Sequence, residues 1–277
     1  MSRPEHQGPP EMVYNEIEAS KYTSSTRIAE IQAEMSLRAL ELMNLPEGMP
    51  AFLLDIGCGS GLSGEILDEE GHFWVGFDVS PSMLDIAVQR EVEGDLFLQD
   101  AGEGLSFRPG TFDGAISISV LQWLCNADKR SHSPHKRLAK FFTTLFMALK
   151  RGARAVFQFY PENDDQLQMI MGAAMKSGFT GGLVIDYPNS KKARKHYLCL
   201  FAGQSDEPIP QPLGLEDCRE EGAIFSSKRM RNPKKSKVGV STKGKSWVIA
   251  KKEASRAKGL KVANDSKYTA RKRRPRF

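Results

Sequence analysis

Leu53-Leu54-Asp55-Ile56-Gly57-Cys58-Gly59-Ser60-Gly61 sets the reading of the whole chain. An apolar run meets a carboxylate, three alternating glycines follow, and residues 62–67 then space Leu62, Ile66 and Leu67 as a helix does. Strand, tight turn and helix N-terminus follow in that order. Glycines at such a turn let the backbone bend sharply and let a ligand approach without a Cβ in the way.

Working outward, the same alternation repeats. Upstream, Thr26 to Leu45 places Ile28, Ile31, Met35, Ala39 and Leu42 at helical spacing and stops before Pro46. Downstream, FWVGFDVS (73–80), a helix from Pro81, DLFLQD (95–100) and FDGAISISV (112–120) succeed one another. A helix bearing Leu138, Phe141, Phe142, Leu145 and Leu149 leads to the strand ARAVFQFYP (153–161), and a helix with Leu167, Ile170, Met171 and Ala174 ends at Gly178. Repeated β-α-β predicts a largely parallel sheet with helices on both faces. GGLVIDYP (181–188) and HYLCLFAG (196–203) are joined by only NSKKARK, too short for a helical crossover, so they should pair antiparallel. The expected fold is a doubly wound, Rossmann-like α/β sheet of seven strands, mostly parallel, with an antiparallel terminal hairpin.

Charge divides the chain. Of 39 Lys and Arg, 19 lie from Phe225 onward, with only 2 of the 34 Asp and Glu, so the tail is +17 and everything before it −12. A tail so basic, with widely spaced apolar residues, is expected to be disordered when free. Its runs KRMRNPKKSK, KGKSWVIAKK and RKRRPRF, interspersed with Trp247, Tyr268 and Phe277, suit sequence-independent binding to RNA phosphates; a nuclear-import signal is compatible, and a merely solubilising tail competes. Cys58, Cys125, Cys199 and Cys218 have neither disulfide-scaffold nor zinc-ligand spacing and read as reduced intracellular thiols, with no metal site. The leader MSRPEHQGPP does not read as a signal peptide, and no apolar run has the length of a membrane span.

Gly59, Gly61 and Gly64 spell GxGxxG, the dinucleotide pattern, which alone discriminates little. Asp78, 17 residues beyond Gly61, ends the second strand and can accept both ribose hydroxyls, a demand that NAD and S-adenosylmethionine share. Asp55, before the first glycine, suits the ammonium end of a methionine, directly or through water. Asp100, closing the third strand, can accept from an adenine amino group, although next to Gly102 and Gly104 it also reads as a plain turn-forming acid. With the terminal hairpin, these acids favour S-adenosylmethionine and a methyltransferase.

The chain resembles the eukaryotic 18S ribosomal RNA guanine-N7 methyltransferase family nearly end to end. The resemblance is carried by PPEMVYNEIEASKYTSSTR (9–27), DIGCGSGLSGEIL (55–67), SISVLQWLCNAD (117–128), QFYPENDDQ (158–166) and SKYTARKRRPRF (266–277), the last three being more specific than the glycine loop. It implies a leader, 1–25, over the cofactor site; a class I methyltransferase domain, 26–203; an acidic, Pro-containing linker, 204–224; and a basic RNA-binding tail, 225–277. The cofactor is expected on Asp55, Gly57, Cys58, Gly59, Gly61, Asp78, Asp100 and Tyr22. Tyr22 and Tyr14 either close over the cofactor, as the resemblance implies, or cap the first helix.

Guanine N7 carries an in-plane lone pair and no proton, so transfer needs alignment and no general base. Substrate contacts should follow the strand ends, where Ser119, Gln122, Trp123, Tyr160 and Pro161 stand. An aromatic face can stack an unstacked base and an amide can bond its edge; alternatively Trp123, between Leu121 and Leu124, anchors a helix in the core. The third strand, 95–100, is expected at a sheet edge and is apolar in its middle, which invites strand addition. The resemblance implies that a small zinc-binding activator subunit pairs there as a heterodimer, that the substrate is 18S rRNA within the pre-40S subunit, and that the protein works in nucleus, nucleolus and cytoplasm. A rival reading is an assembly factor that acts by binding, its cofactor pocket vestigial; a third is an NAD-dependent oxidoreductase.

Overall fold

The computed structural model describes residues 3–190, 193–204, 209–214 and 224–225, and, in the basic tail, 249, 251–253, 255–256, 261–262 and 264–265. The chain divides into two compact units, Met1–Ser227 and Lys228–Phe277. In the first, a leader holds α1 (Pro10–Val13) and α2 (Glu16–Ser24), then α3 (Thr26–Met43) precedes β1 (Phe52–Ile56). There follow α4 (Leu62–Glu69), β2 (Phe73–Asp78), α5 (Pro81–Gln89), β3 (Asp95–Leu98), β4 (Phe112–Ile118), α6 (Pro134–Ala148), β5 (Leu149–Phe159), α7 (Asp164–Lys176), β6 (Phe179–Asp186), β7 (Lys195–Ala202) and β8 (Ile224–Phe225).

The sheet order is β3-β2-β1-β4-β5-β7-β6-β8. β1 to β5 pair in parallel, and β7 runs antiparallel between β5 and β6, as the short connection, 187–194, requires. The expected seven strands are present; β8 is a two-residue addition, pairing Ile224 and Phe225 with Gly182 and Gly181 across the expected linker–tail boundary. Asp100 lies beyond β3, which ends at Leu98, and caps a 3-10 turn at Ala101–Glu103.

Side-chain alternation along β1 sorts the core into two layers. Leu53 faces a cluster with Met35, Ala39, Leu42 and Met43 of α3, Leu67 of α4 and Leu84 of α5. Leu54 and Ile56 face the opposite layer, where Leu138, Phe141, Phe142 and Leu145 of α6 and Ile170 and Ala174 of α7 pack on Phe157 and Leu198. Leu42, fully buried, is a residue whose truncation to alanine costs about 2–5 kcal/mol. Beside this layer, Arg38 of α3 donates to both carboxylate oxygens of buried Asp186, at 2.9 and 3.2 Å, and to the Gln211 carbonyl at 3.0 Å. Asp186 also accepts from Leu213 N at 2.9 Å, so one ion pair ties helix, sheet and residues 211–213 together.

In the second unit, Ile249, Lys251–Glu253, Ser255 and Arg256 have helical backbone, and Lys252 and Arg256 both pair with Asp265 at 2.9 Å. The expectation of disorder for the rest of the tail lies outside the described residues, as does Cys218. Cys58, Cys125 and Cys199 are free thiols. Among the described residues, no helix is long and apolar enough to cross a membrane.

Candidate functional site

The loop after β1 is shaped by what it must avoid. Gly57 turns with φ 73°, and a Cβ there would stand 2.3 Å from Val120 Cγ2, so no side chain fits. Gly57 N and Cys58 N both donate to the Phe77 carbonyl of β2, at 2.8 and 3.1 Å, which draws the loop over the neighbouring strand end. Gly59, at φ 54°, has only Met83 Cε within reach of a Cβ, at 3.9 Å, so its open side faces a cleft. That cleft holds about 1040 Å³ of atom-free space, its mouth included. Gly57, Cys58 and Gly59 line it; Gly61, the N-cap of α4, does not.

Asp78 ends β2 on the cleft wall. One carboxylate oxygen accepts from Gly59 N at 3.0 Å and the other from Ser80 N at 2.8 Å. Burial pushes its carboxyl up, and those backbone donors hold it back. Asp55 is fully buried behind the wall: Ser63, which lines the cleft, donates to its Oδ2 at 2.6 Å, and its Oδ1 has no partner. Burial raises its carboxyl to about 7; the Ser63 hydroxyl opposes the shift and the charge of Asp78 adds to it. Asp100, also on the wall, accepts from Gly102 N at 2.8 Å and from Arg137 Nη2 at 2.6 and 2.8 Å.

The roof is aromatic. Tyr22 stands edge-on to Tyr14 at 5.7 Å, and Tyr14 lies 5.8 Å from Trp123. The leader is pinned there because Ser80 Oγ donates to the Tyr14 carbonyl at 2.9 Å, while Gln32 donates to the Tyr22 hydroxyl at 2.7 Å. Burial, then the charges of Asp78 and Glu5, raise the Tyr14 phenol to about 12, so it stays a neutral donor. Trp123 is 8% exposed, sits in the turn Trp123–Cys125 and lines the cleft.

The substrate-side expectations divide. Ser119, at φ 63°, lines the cleft and donates to Gln158 Oε1 at 2.8 Å. Gln122, Tyr160 and Pro161 lie off the cleft wall. The Gln122 amide is occupied in joining strand ends, donating to the Ser119 carbonyl at 2.9 Å and reaching Tyr160 N at 3.5 Å. The Tyr160 hydroxyl accepts from Lys195 at 2.6 Å, and the Tyr160 and Pro161 carbonyls receive Arg3 at 2.9 and 3.1 Å. Sequence reasoning missed Ser63, Asp128, His132 and Arg137, all on the wall. The last three lie in or just after the SISVLQWLCNAD block, where a polar run after a parallel strand was the available signal.

Against known proteins, residues 54–157 match the family model described as a methyltransferase domain, and residues 200–275 match one described as a methyltransferase involved in Williams-Beuren syndrome. A mouse protein named 18S rRNA (guanine-N(7))-methyltransferase is 54% identical over 99% of this chain and 98% of its own length. The chain belongs to the 18S rRNA (guanine-N7)-methyltransferase family. Its member from Saccharomyces cerevisiae, named 18S rRNA (guanine(1575)-N(7))-methyltransferase, is 52% identical with both chains covered completely. Beyond this family, the Haemonchus contortus phosphoethanolamine N-methyltransferase 2, solved with phosphomonomethylethanolamine and S-adenosylhomocysteine, shares the fold at TM-score 0.51 and 17% identity, over 69% of this chain and 58% of its own.

Proposed function

We propose that the cleft binds S-adenosylmethionine and that the protein transfers its methyl group to N7 of a guanine in 18S rRNA, the guanine matching position 1575 of the yeast relative. The carrying observation is that one cleft gathers Asp78, at the end of β2, and Asp100, in the turn after β3, under an aromatic roof, in a chain matched end to end by the 18S rRNA methyltransferases.

The residues fit the cofactor. Each Asp78 oxygen already accepts one backbone N–H and keeps lone pairs for the two ribose hydroxyls. Asp100, held by Arg137, can accept from the adenine amino group. The bare backbone of Gly59 leaves room that a Cβ would fill. Ser63 offers its oxygen at the amino-acid end, with the unpartnered Oδ1 of Asp55 behind it. Gly57, Cys58 and Gly61 shape the loop, and Tyr22 and Tyr14 cover it.

The cofactor supplies an electrophilic methyl on sulfur. N7 needs no proton removed, so the chain's own residues act by placement and by excluding water. Trp123 and Tyr14 present aromatic faces for a splayed purine. Ser119 borders the reacting space, and Gln122, with Tyr160 and Pro161 behind it, holds the strand ends that carry it.

We assign leader, catalytic body, linker and basic tail to 1–25, 26–203, 204–224 and 225–277, the tail supplying phosphate contacts that choose no base. The edge strand β3, with Phe97 48% and Leu98 64% exposed, supports pairing with a small zinc-binding activator subunit. An rRNA target supports action on the pre-40S subunit, in the nucleus and nucleolus and then the cytoplasm.

Purified protein, labelled S-adenosylmethionine and 18S rRNA test the assignment by mapping the modified atom. Label on guanine N7 is expected; label confined to a non-guanine atom overturns the target and leaves the cofactor standing.

A further inference from the structure

The part of the chain before Phe225 is strongly acidic, yet residues 129–140, KRSHSPHKRLAK, hold five Lys and Arg and no Asp or Glu. This segment is the rim of the cleft: Asp128 and His132 line the cleft where it begins, and Arg137 lines it in the first turns of α6. Arg137 points inward. It grips Asp100, and its Nη1 stands 3.7 Å from Asp128 Oδ2, so the two ends of the loop are stapled to each other and to the wall. With Arg137 turned in, Lys129, Arg130, His135 and Lys136 are turned out; all four are exposed. Lys140 is paired with Glu103, but Lys129, Arg130 and Lys136 have no ion-pair or hydrogen-bonding side-chain partner among the described residues. Another basic loop, at the same end of the strands, differs. There, Arg194 donates to the Pro188 carbonyl and Lys195 to Tyr160, while Lys191 and Lys192 lie outside the described residues.

Unpaired cations held on a stapled loop, beside a cleft on an otherwise acidic body, have a definite electrostatic consequence. They repel nothing on the incoming strand and draw its phosphates to the cleft mouth. We propose that Lys129, Arg130 and Lys136 form a phosphate-binding rim that holds the RNA backbone flanking the target guanine, separate from the basic tail. The proposal rests on the rRNA methyltransferase reading above and adds to it a body-borne substrate contact. The tail gathers RNA; the rim fixes where along the strand the cleft stands. Contacts of this kind choose no base, and they make turnover sensitive to salt.

The test uses the full chain with Lys129, Arg130 and Lys136 all changed to Gln, and a second variant, Lys129→Arg, Arg130→Lys and Lys136→Arg, that keeps the charge. Methyl transfer to an 18S rRNA fragment is measured across a salt series, with S-adenosylhomocysteine binding in parallel. Expected for the glutamine variant are unchanged S-adenosylhomocysteine affinity, a fall in kcat/KM on the order of ten-fold near 0.15 M salt, and a log–log salt slope shallower by about 2, as three lost single-strand phosphate contacts require. The charge-keeping variant should return most of the loss. Wild-type turnover and slope in the glutamine variant overturn the rim. So does an equal loss in the charge-keeping variant, or loss of S-adenosylhomocysteine binding, which places these residues in the wall of the cofactor site. Failure of the unsubstituted protein to methylate the fragment counts against the activity assignment and is read apart from the variants.

Discussion

Arg137 of α6 donates to both carboxylate oxygens of Asp100, at 2.6 and 2.8 Å, across the floor between a helix and the turn that follows β3. The guanidinium is 10% exposed and the carboxylate 27%, so solvent screens the pair only in part. Arg137→Met leaves that carboxylate short of its donor. The expected result is a loss of about 1–3 kcal/mol of stability and roughly ten-fold weaker S-adenosylhomocysteine binding, read by denaturant unfolding and calorimetry. Unchanged binding would separate Asp100 from the adenine.

Asp55 makes stability depend on pH in an unusual direction. Burial holds its folded carboxyl at about 7, against about 3.9 for an unfolded aspartate. Between those values the folded chain binds the extra proton, so this group's contribution falls as pH rises and is gone above pH 7. Asp55→Asn should therefore be more stable than the parent at pH 8, by roughly 2–4 kcal/mol, with the gap closing toward pH 4. Urea titrations at pH 5 and pH 8 measure it, and a gap that does not change with pH contradicts the burial argument.

Two glycines of one loop should fail differently. Gly57→Ala combines a left-handed φ with a 2.3 Å approach to Val120, costing about 2–5 kcal/mol and showing as a lowered Tm. Gly59→Ala meets no neighbour closer than 3.9 Å, so only the φ term of about 1–2 kcal/mol applies. Its methyl projects into the cleft, and S-adenosylhomocysteine affinity should drop about ten-fold or more. Equal Tm losses with equal affinities would mean that the loop does not border the ligand.

At the other edge, Phe97→Lys places a charge in the middle of β3, where the side chain is already half-exposed. Folding of the body should change by less than about 1 kcal/mol, whereas co-purification of a strand-adding activator should be lost. Retained co-purification would move that partner off the β3 edge.

Strand succession, hairpin and sheet edge were legible because each follows from local pattern: apolar runs of strand length, and a seven-residue connection that no crossover helix can fit. The position of Asp78 was legible because it closes an apolar run of strand length, and β2 does end there, on the cleft wall. The direction of Asp55 was not, since the rotation that buries it behind Ser63 is set by packing between β1 and α4. Gln122 illustrates the same limit. Its residue type suits a base edge, but the Ser119 carbonyl and, 38 residues away, the Tyr160 N–H claim its amide, and periodicity does not register either contact. Arg137 is one of five cations in residues 129–140, and its inward turn appears only once α6 is docked on the sheet.

A crystal structure of the protein with S-adenosylhomocysteine tests most directly whether the cleft after β1 is the cofactor site. Both ribose hydroxyls within hydrogen-bonding distance of Asp78, the adenine amino group on Asp100, and the ligand backbone against Gly59 is the predicted arrangement. A ligand seated elsewhere, or one whose ribose makes no contact with Asp78, would contradict it.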